Sequence, residues 1–285
     1  PAHVGGRNAD REVLGHGEGL VHARDVTPTR PCRVPGCDPA GPWRTVSAVH
    51  PSPEAVARHP HLADPLPEGW VRVDLHSHTM YSGDSTTTPD ELEEAVLHSA
   101  IDVLCITDHN ATRGATELGD RLACRLIVGE EVKTHAGEII GLFLTERIPG
   151  GLQPVEVCER IRAQGGIVYI PHPFDPMRNC LQERVLVDLV DRGLVDAIEG
   201  RNAKTSLEHL NQRGRDFGAE HGLAVGAGSD AHVAEALGAA YVEMPDFDGP
   251  TSFLDGLRRG RIVGHHFDAP RRWRPRIIPS IPSET

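Results

Sequence analysis

The residues best suited to chemistry are histidines and carboxylates that directly follow short apolar segments. They are His76 and His78, Asp108 and His109, Glu131, His172, and Asp230 and His232. Imidazole nitrogens combined with carboxylate oxygens suit zinc, manganese or iron, and the lack of cysteines among them argues against a structural zinc site. Each residue alone is weak support, since isolated histidines are more often solvated or hydrogen-bonded. Their repeated position after an apolar segment predicts a shared metal site.

The segments that must position these residues alternate between strand-like and helix-like patterns from Val71 onward. The predicted strands are Val71–Leu75, Val103–Thr107, Leu126–Val128, Ile139–Leu144, Ile167–Ile170, Ala197–Glu199, Ala224–Ala227 and Ala240–Glu243. The predicted helices are Pro89–Ala100, Pro154–Gln164, Glu183–Arg192, Leu207–His221 and Thr251–Arg259. The first helix has a clear start, because Thr88 can cap it and Glu91 completes a capping box. This alternation predicts βα units around a largely parallel sheet.

The polar residues fall at one end of the predicted strands. His76 and His78 are two apart on an extended segment, so their side chains point the same way and can reach one cation. In a parallel α/β barrel the carboxyl ends of the strands converge on one face, where such enzymes place catalysis. The sequence therefore predicts an α/β barrel with the metal site at that face.

The composition fits an ordinary globular protein and argues against some functions. With 29 basic and 41 acidic residues, the formal net charge is −12. Bulk nucleic-acid binding, which depends on cationic side chains releasing counterions, is therefore not expected. No apolar run is long enough to span a membrane, and we find no secretory signal. The six cysteines form no CxxC pair, which predicts reduced thiols in a cytoplasmic protein, with Cys105 in the core.

The order of the motifs resembles the polymerase and histidinol phosphatase (PHP) family of metal-dependent phosphoesterases. The motifs run His-x-His, Ser-x-Asp-Ser, Thr-Asp-His, Gly-Glu-Glu-Val, His-Pro-Phe and Ser-Asp-x-His, and they are specific in combination. The resemblance covers residues 71–264. It implies an α/β fold, a distorted (β/α)7 barrel of the PHP type with an irregular N-terminal arm. It also implies two or three divalent metal ions, manganese, zinc or iron, at the carboxyl ends of the strands.

The resemblance further implies which residues bind these ions. The first ion would take His76, His78, Glu131 and Asp230; the second would share Glu131 and take His172; the third would take Asp84, His109 and His232. One position departs from the family, since many relatives have a histidine where this chain has Glu138. Either Glu138 or nearby His135 would replace that ligand, and we favour Glu138 because it directly precedes a predicted strand.

The implied reaction is hydrolysis of a small phosphorylated molecule, a phosphomonoester or nucleotide-like phosphate, by a metal-bound hydroxide. Asp108, His109 and His232 are the candidate catalytic residues, with Asp108 orienting a ligand. The candidate substrate-binding residues are Arg178, Arg201, Lys204 and Asn202. The three cations among them are candidates because few other positive side chains lie near the motifs.

Three other functions stay open at this point. The same metal chemistry attacks carbamates, amides and esters. An exonuclease or nucleotide-bisphosphate activity is a second alternative, disfavoured in its polymer form by the acidic charge. A non-catalytic PHP-like binding module is the third, and it should have lost ligands, whereas eight of the nine expected positions hold the expected residue type.

Composition also divides the chain into three regions. Residues 1–68 form a Pro-, Gly- and His-rich arm, with a short helix predicted around Glu54–Arg58. Residues 69–267 form the PHP-like metallohydrolase domain, and residues 268–285 form an Arg- and Pro-rich tail.

Three weaker signals lie outside the main motifs. Cys32 and Cys37, with His16 and His22 upstream, are better explained by an ordinary loop than by a zinc knuckle. His265 and His266 are interpreted as an exposed pair. Gly165-Gly166 is interpreted as the turn that ends a helix and not as a phosphate loop.

Overall fold

The structure is a computed structural model that describes residues 50–268. Nine strands form a single sheet in these residues. They are β1 (Trp70–Ser77), β2 (Val103–Ile106), β3 (Arg125–Thr134), β4 (Gly137–Leu142), β5 (Ile167–Ile170), β6 (Ala197–Asn202), β7 (Ala224–Gly228), β8 (Ala240–Pro245) and β9 (Arg261–Gly264). Their order in the sheet is β7-β6-β5-β4-β3-β2-β1-β8-β9.

Seven of these strands run in one direction and two run against them. β4 is antiparallel to both β3 and β5, and β8 is antiparallel to both β1 and β9. The remaining four pairings are parallel. The prediction of a largely parallel sheet therefore needs a correction, because four of the eight pairings are antiparallel. β9 was not predicted, and β3 is longer than predicted, so that Glu131 lies within the strand and not after it.

The sheet curls until its first and seventh strands meet. Ser77 forms a parallel bridge with Ala231, and the Asp230 amide donates to the His76 carbonyl over 2.7 Å. Gly228 permits this approach, since a Cβ at that position would lie 2.3 Å from the Cβ of His76. The predicted α/β barrel is confirmed in a nearly closed form.

Seven α-helices accompany the sheet within residues 50–268. They are α1 (Pro53–Arg58), α2 (Pro89–Ser99), α3 (Arg113–Leu118), α4 (Pro154–Ala163), α5 (Glu183–Asp191), α6 (Glu208–His221) and α7 (Pro250–Arg259). The five helices predicted from periodicity are all present, with ends within one residue of the prediction. The capping box of α2 is also confirmed, as is the helix-ending turn, in which Gly165 has φ of 75°. α3 was missed because it is six residues long and its N-cap makes no side-chain hydrogen bond.

The buried apolar side chains form an interior core and two outer layers. Every strand from β1 to β8 contributes to the interior cluster, with residues such as Leu75, Cys105 and Tyr169 fully buried. The prediction that Cys105 belongs to the core is thus confirmed. Two further clusters pack helices on the outer faces of the strands, α4 and α5 in one, α2 and α3 in the other. No helix among the described residues combines the length and apolarity needed to cross a membrane.

The segment before β1 docks on the barrel through apolar and imidazole side chains. Ala55 and Leu62 are buried in one outer cluster. His59 is 1% exposed and contacts the Glu235 carbonyl, while His61 Nδ1 lies 3.4 Å from His265 Nδ1. The prediction that His265 and His266 are both exposed is therefore wrong for His265, which is half-buried, and right for His266.

Two other predictions are not tested by the structure. The cysteines and histidines of the weak zinc-knuckle signal lie outside the described residues, and the boundaries of the three regions stay predictions.

The buried imidazole of His59 predicts an acid-sensitive fold. Burial, with smaller contributions from His265, His61 and Arg58, lowers the pKa of His59 from 6.5 to about 4. Between these two pH values the unfolded chain binds a proton at the His59 imidazole, whereas the folded chain does not. We expect the free energy of unfolding to decrease as the pH falls from about 6.5 towards about 4. Urea titrations in chelator across this range should show a shallower decrease for His59→Gln, and an equally steep decrease in both proteins would contradict this account.

Candidate metal centre

Six strands bring histidines and carboxylates to one rim of the barrel. The parallel strands β1, β2, β5 and β7 each place their residues just at or beyond their carboxyl ends. β3 extends past this rim, so Glu131 reaches it from within the strand. β4 runs the opposite way, so its beginning, with Glu138, lies at the same rim. In the β3–β4 register Glu131 is opposite Ile140, which places Glu131 and Glu138 on one face of the hairpin.

The first donor set consists of His76, His78, Glu131 and Asp230, and we call it the first centre. The Nε2 atoms of His76 and His78 lie 3.0 Å apart. Glu131 Oε2 is 3.5 Å from the first of these nitrogens and 3.3 Å from the second. Asp230 Oδ1 is 3.8 and 3.5 Å from the same two atoms. The structure therefore brings the buried donor atoms of these four residues close together.

The second donor set, the second centre, consists of Glu131, Glu138 and His172. His172 Nε2 lies 2.9 Å from Glu131 Oε1 and 3.6 Å from Glu138 Oε2. Glu131 thus turns one oxygen towards the first centre and the other towards the second. Glu138 is buried, at 4% exposure, whereas His135 is exposed. The structure brings Glu138 to the cluster and leaves His135 outside it.

The third donor set, the third centre, consists of Asp84, His109 and His232. Asp84 Oδ2 lies 3.3 Å from the Nε2 atom of each histidine. The Asp84 side chain is 41% exposed, while the first centre is fully buried, so the third centre marks the open side of the pocket. His109 Nδ1 lies 3.1 Å from Glu131 Oε2, the oxygen that faces the first centre, and 3.8 Å from Glu138 Oε1 of the second centre.

The cluster concentrates negative charge that positive neighbours balance. Burial alone would raise the pKa of Asp230, but the charges of His76 and Arg178 hold it well below its usual range. Burial alone would lower the pKa of His76, yet the carboxylates around it raise it well above its usual value. Burial and then the charge of Glu131 raise the pKa of Glu138. Such a pocket is suited to cations.

The backbone is strained at two of these residues. His172 has φ of 29° and Asp230 has φ of 50°, a region that non-glycine residues seldom adopt. The His172 amide donates to Glu199 Oε2 over 2.6 Å, and the Asp230 amide donates to the His76 carbonyl. These hydrogen bonds hold His172 and Asp230 in backbone conformations of higher energy. Such strain is typical of functional sites.

A supporting network behind the donors was largely missed from sequence. Glu199 Oε1 lies 3.2 Å from His76 Nδ1, and its other oxygen accepts from the His172 amide, so one carboxylate supports two centres. Ser82 Oγ lies 2.8 Å from His78 Nδ1 and accepts from the His109 amide over 2.9 Å. Such partners fix the tautomer and orientation of metal-binding imidazoles. In the sequence Glu199 ends a predicted strand and Ser82 begins the Ser-x-Asp-Ser motif, but neither pattern indicated a contact with a histidine.

Asp108, predicted to be catalytic, lies behind the cluster. Its two oxygens accept from the Thr79 amide and the Thr79 hydroxyl, each over 2.7 Å. Burial raises its pKa to about 7. It orients the segment that follows His78 and does not hydrogen-bond a predicted ligand side chain directly. The other two predicted catalytic residues, His109 and His232, lie in the third centre.

The four predicted substrate-binding residues divide into two pairs. Arg178 forms an ion pair with Asp230, and Lys204 Nζ lies 3.1 Å from His232 Nδ1, so both cations flank the donor sets. Asn202 is 1% exposed, and its amide donates to Glu199 and Asp230, so it supports ligands and does not face substrate. Arg201 pairs with Glu208 at the start of α6, 3.0 Å away. The structure therefore does not bring Arg201 to the pocket, because the bulge in β6 turns it outward.

The donor chemistry fits divalent metal ions. Asp230 Oδ1 is buried and makes no hydrogen bond, although three imidazole nitrogens and the Lys204 ammonium lie within 3.8 Å of it. A bound cation would satisfy this oxygen, and burying it without one is costly. Four groups of the described residues place donor atoms within 4.8 Å of one another: His76 with His78 and Glu131, His76 with His172 and Asp230, His78 with His109 and His232, and His109 with Glu131 and Glu138.

Comparisons with known proteins show the family to which the chain belongs. The family model of the PHP domain matches residues 74–164, and that of the PHP-associated region matches residues 208–262. The chain is 35% identical over 202 residues to uncharacterized protein MJ0417 of Methanocaldococcus jannaschii, covering 66% of this chain and 79% of that one. It is 40% identical over 128 residues to uncharacterized protein MJ1587 of the same organism, covering 40% and 75%. The chain belongs to the PHP family.

A solved structure supports the fold. A two-domain protein from Bacteroides vulgatus, described as containing a predicted PHP-like metal-dependent phosphoesterase, has a TM-score of 0.58 and 18% identity. The match covers 70% of this chain and 67% of that chain. At this identity the likeness concerns the fold alone.

Proposed function

We propose that the protein is a metal-dependent phosphoesterase that hydrolyses small phosphoesters, either phosphomonoesters or nucleotide-like phosphates. The observation that carries this proposal is the position of Glu131. Its two oxygens face separate donor sets, one with His76 and His78 and one with His172. A carboxylate shared in this way is suited to hold two cations side by side, the arrangement used by many phosphatases.

The three donor sets would hold two to three divalent ions. When bound, such ions lower the pKa of a coordinated water and withdraw charge from phosphate oxygens. The chain itself supplies the fixed geometry, since Glu199 supports His76 and His172, and Asp108 supports the segment after His78. Because the first centre is buried and Asp84 is partly exposed, substrate would approach from the third centre.

Arg178 and Lys204 would bind the oxygens of the substrate. The Arg178 side chain is 21% exposed and that of Lys204 is 10% exposed, and both lie against Asp230. A guanidinium and an ammonium at the edge of a metal pocket suit a phosphate group, on which charge is spread over several oxygens. A neutral carbonyl substrate would interact more weakly with these two positive side chains.

The charge of the protein favours a small substrate, and its cysteines favour a location in the cytoplasm. The formal net charge of −12 would repel long polyanions, whereas a small phosphate can be attracted by local positive charge. We place the reaction in the cytoplasm, because the four cysteines among the described residues are free thiols.

A substrate panel separates this proposal from the carbonyl alternative. Purified protein supplied with Mn²⁺, Zn²⁺ or Fe²⁺ should hydrolyse phosphomonoesters, and should turn over carbamates, amides and carboxylic esters much more slowly. Good turnover of carbonyl substrates with negligible release of phosphate would overturn the phosphoesterase proposal. Metal-loaded protein inactive on both classes would favour a non-catalytic binding module.

A further inference from the structure

Glu138 places its two oxygens near two different histidines, as Glu131 does. Oε2 lies 3.6 Å from His172 Nε2, and Oε1 lies 3.8 Å from His109 Nδ1. Glu131 makes the matching approaches, with Oε1 at 2.9 Å from His172 Nε2 and Oε2 at 3.1 Å from His109 Nδ1. Both carboxylates therefore approach His109 and His172, Glu131 more closely than Glu138, and Glu131 Oε2 also faces the first centre.

The two nitrogens of His109 face different centres, and this decides how many imidazoles the second centre has. Its Nε2 lies 3.3 Å from Asp84 Oδ2 in the third centre. A metal-binding histidine commonly turns its other ring nitrogen to a carboxylate, and Nδ1 is 3.1 Å from Glu131 Oε2. His109 Nδ1 also lies within 4.8 Å of donor atoms of Glu131 and Glu138. With its Nε2 assigned to the third centre, His172 is the one imidazole left to the second centre, beside two carboxylates.

The donor chemistry therefore differs between centres in the described part of the chain. The second centre offers one nitrogen and the oxygens of Glu131 and Glu138. The third centre offers the nitrogens of His109 and His232 with the single carboxylate of Asp84. Carboxylate oxygens suit magnesium and manganese, whereas imidazoles suit zinc and iron. Glu138 adds a carboxylate to the shared one of Glu131, which lowers the cost of a divalent charge in this buried pocket.

We propose that Glu138 shifts the second centre towards Mn²⁺ relative to Zn²⁺, so that the protein holds two kinds of metal ion. This inference rests on the proposed function, because it assumes that the donor sets bind divalent ions. The third centre, richer in imidazole, takes Zn²⁺ or Fe²⁺. Selectivity of this kind is set by ligand type and metal supply, since zinc exceeds manganese in raw affinity at most sites.

The test measures bound metal and not turnover. Wild-type protein, Glu138→His, Glu138→Gln and His135→Ala are stripped with chelator. Each is then dialysed against buffers with the same fixed excess of free Mn²⁺ over free Zn²⁺. Bound ions are counted by mass spectrometry, and bound Mn²⁺ is followed by electron paramagnetic resonance. His135→Ala is the matched control, since it lies three residues away on the same hairpin and is exposed.

We expect wild type and His135→Ala to hold manganese together with zinc. In Glu138→His the ratio of bound manganese to bound zinc should fall at least about tenfold. Tenfold is the lower end of the change in metal affinity when a residue that supports a metal ligand is lost, and Glu138 would be a ligand itself. Glu138→Gln, which keeps the shape of the side chain, should lose manganese and keep zinc. This variant provides the test if Glu138→His does not fold. An equal ratio in wild type, Glu138→His and Glu138→Gln would overturn the inference. Wild-type hydrolysis of p-nitrophenyl phosphate, measured separately, tests the proposed function alone.

Discussion

Replacing Glu131 by glutamine is expected to lower phosphoester turnover by about 1,000-fold, the upper range for losing one group that stabilises a transition state. The physical reason is that Glu131 serves two donor sets, with Oε2 near His76 and His78 and Oε1 near His172. An amide presents one neutral oxygen and an NH₂ group, which repels a cation. The substitution should therefore remove metal from both the first and the second centre.

The neighbouring residue provides the control for this variant. Glu130 is also fully buried, and its Oε2 accepts from the Ile148 amide over 2.7 Å, away from the donor sets. Glu130→Gln keeps an oxygen acceptor and should retain metal content and turnover within a few-fold. Steady-state kinetics and metal analysis of both variants decide the matter. Full metal content and near-normal turnover in Glu131→Gln would show that this carboxylate is not shared between ions.

Replacing Arg178 by alanine is expected to lower kcat/KM for phosphoesters by about 10- to 100-fold, because a charge-assisted hydrogen bond is worth about 1.5–3 kcal/mol. The guanidinium lies against Asp230 at the edge of the first centre and is partly exposed, so it can reach a phosphate oxygen. Most of the loss should appear in KM. Metal content should not fall, since removing a competing cation leaves Asp230 free to bind an ion.

Arg201→Ala is the matched control for Arg178→Ala. Arg201 is paired with Glu208 on the outside of β6, and its loss should change kcat/KM less than twofold, an effect of about 0.4 kcal/mol or less. Equal kinetic losses in the two variants would contradict the placement of the phosphate site. An Arg178 variant with an unchanged KM would remove this arginine from substrate binding.

Sequence could predict the donors that follow parallel strands. His76, His172 and Asp230 each come at or just after the end of a strand that runs in the common direction, so spacing alone brings them to one rim. Glu138 comes at the beginning of its strand. It reaches the same rim because β4 runs in reverse, and periodicity carries no information on strand direction.

Other contacts depend on register and backbone irregularities that a pattern does not show. Arg201 and Asn202 are neighbours, but a bulge in β6 between Glu199 and Arg201 turns one outward and leaves the other buried. Glu199 supports His76 from a strand 123 residues later in the chain, so its role becomes visible only when the barrel is closed. Closure in turn depends on Gly228, where a side chain would meet His76.

The most direct test of the central claim is to measure bound metal and phosphoester hydrolysis on the same protein samples. The account predicts that chelation removes two to three ions per chain together with activity, and that stepwise return of divalent metal restores both in proportion. Protein that contains no stoichiometric metal and hydrolyses phosphoesters fully in chelator would contradict it.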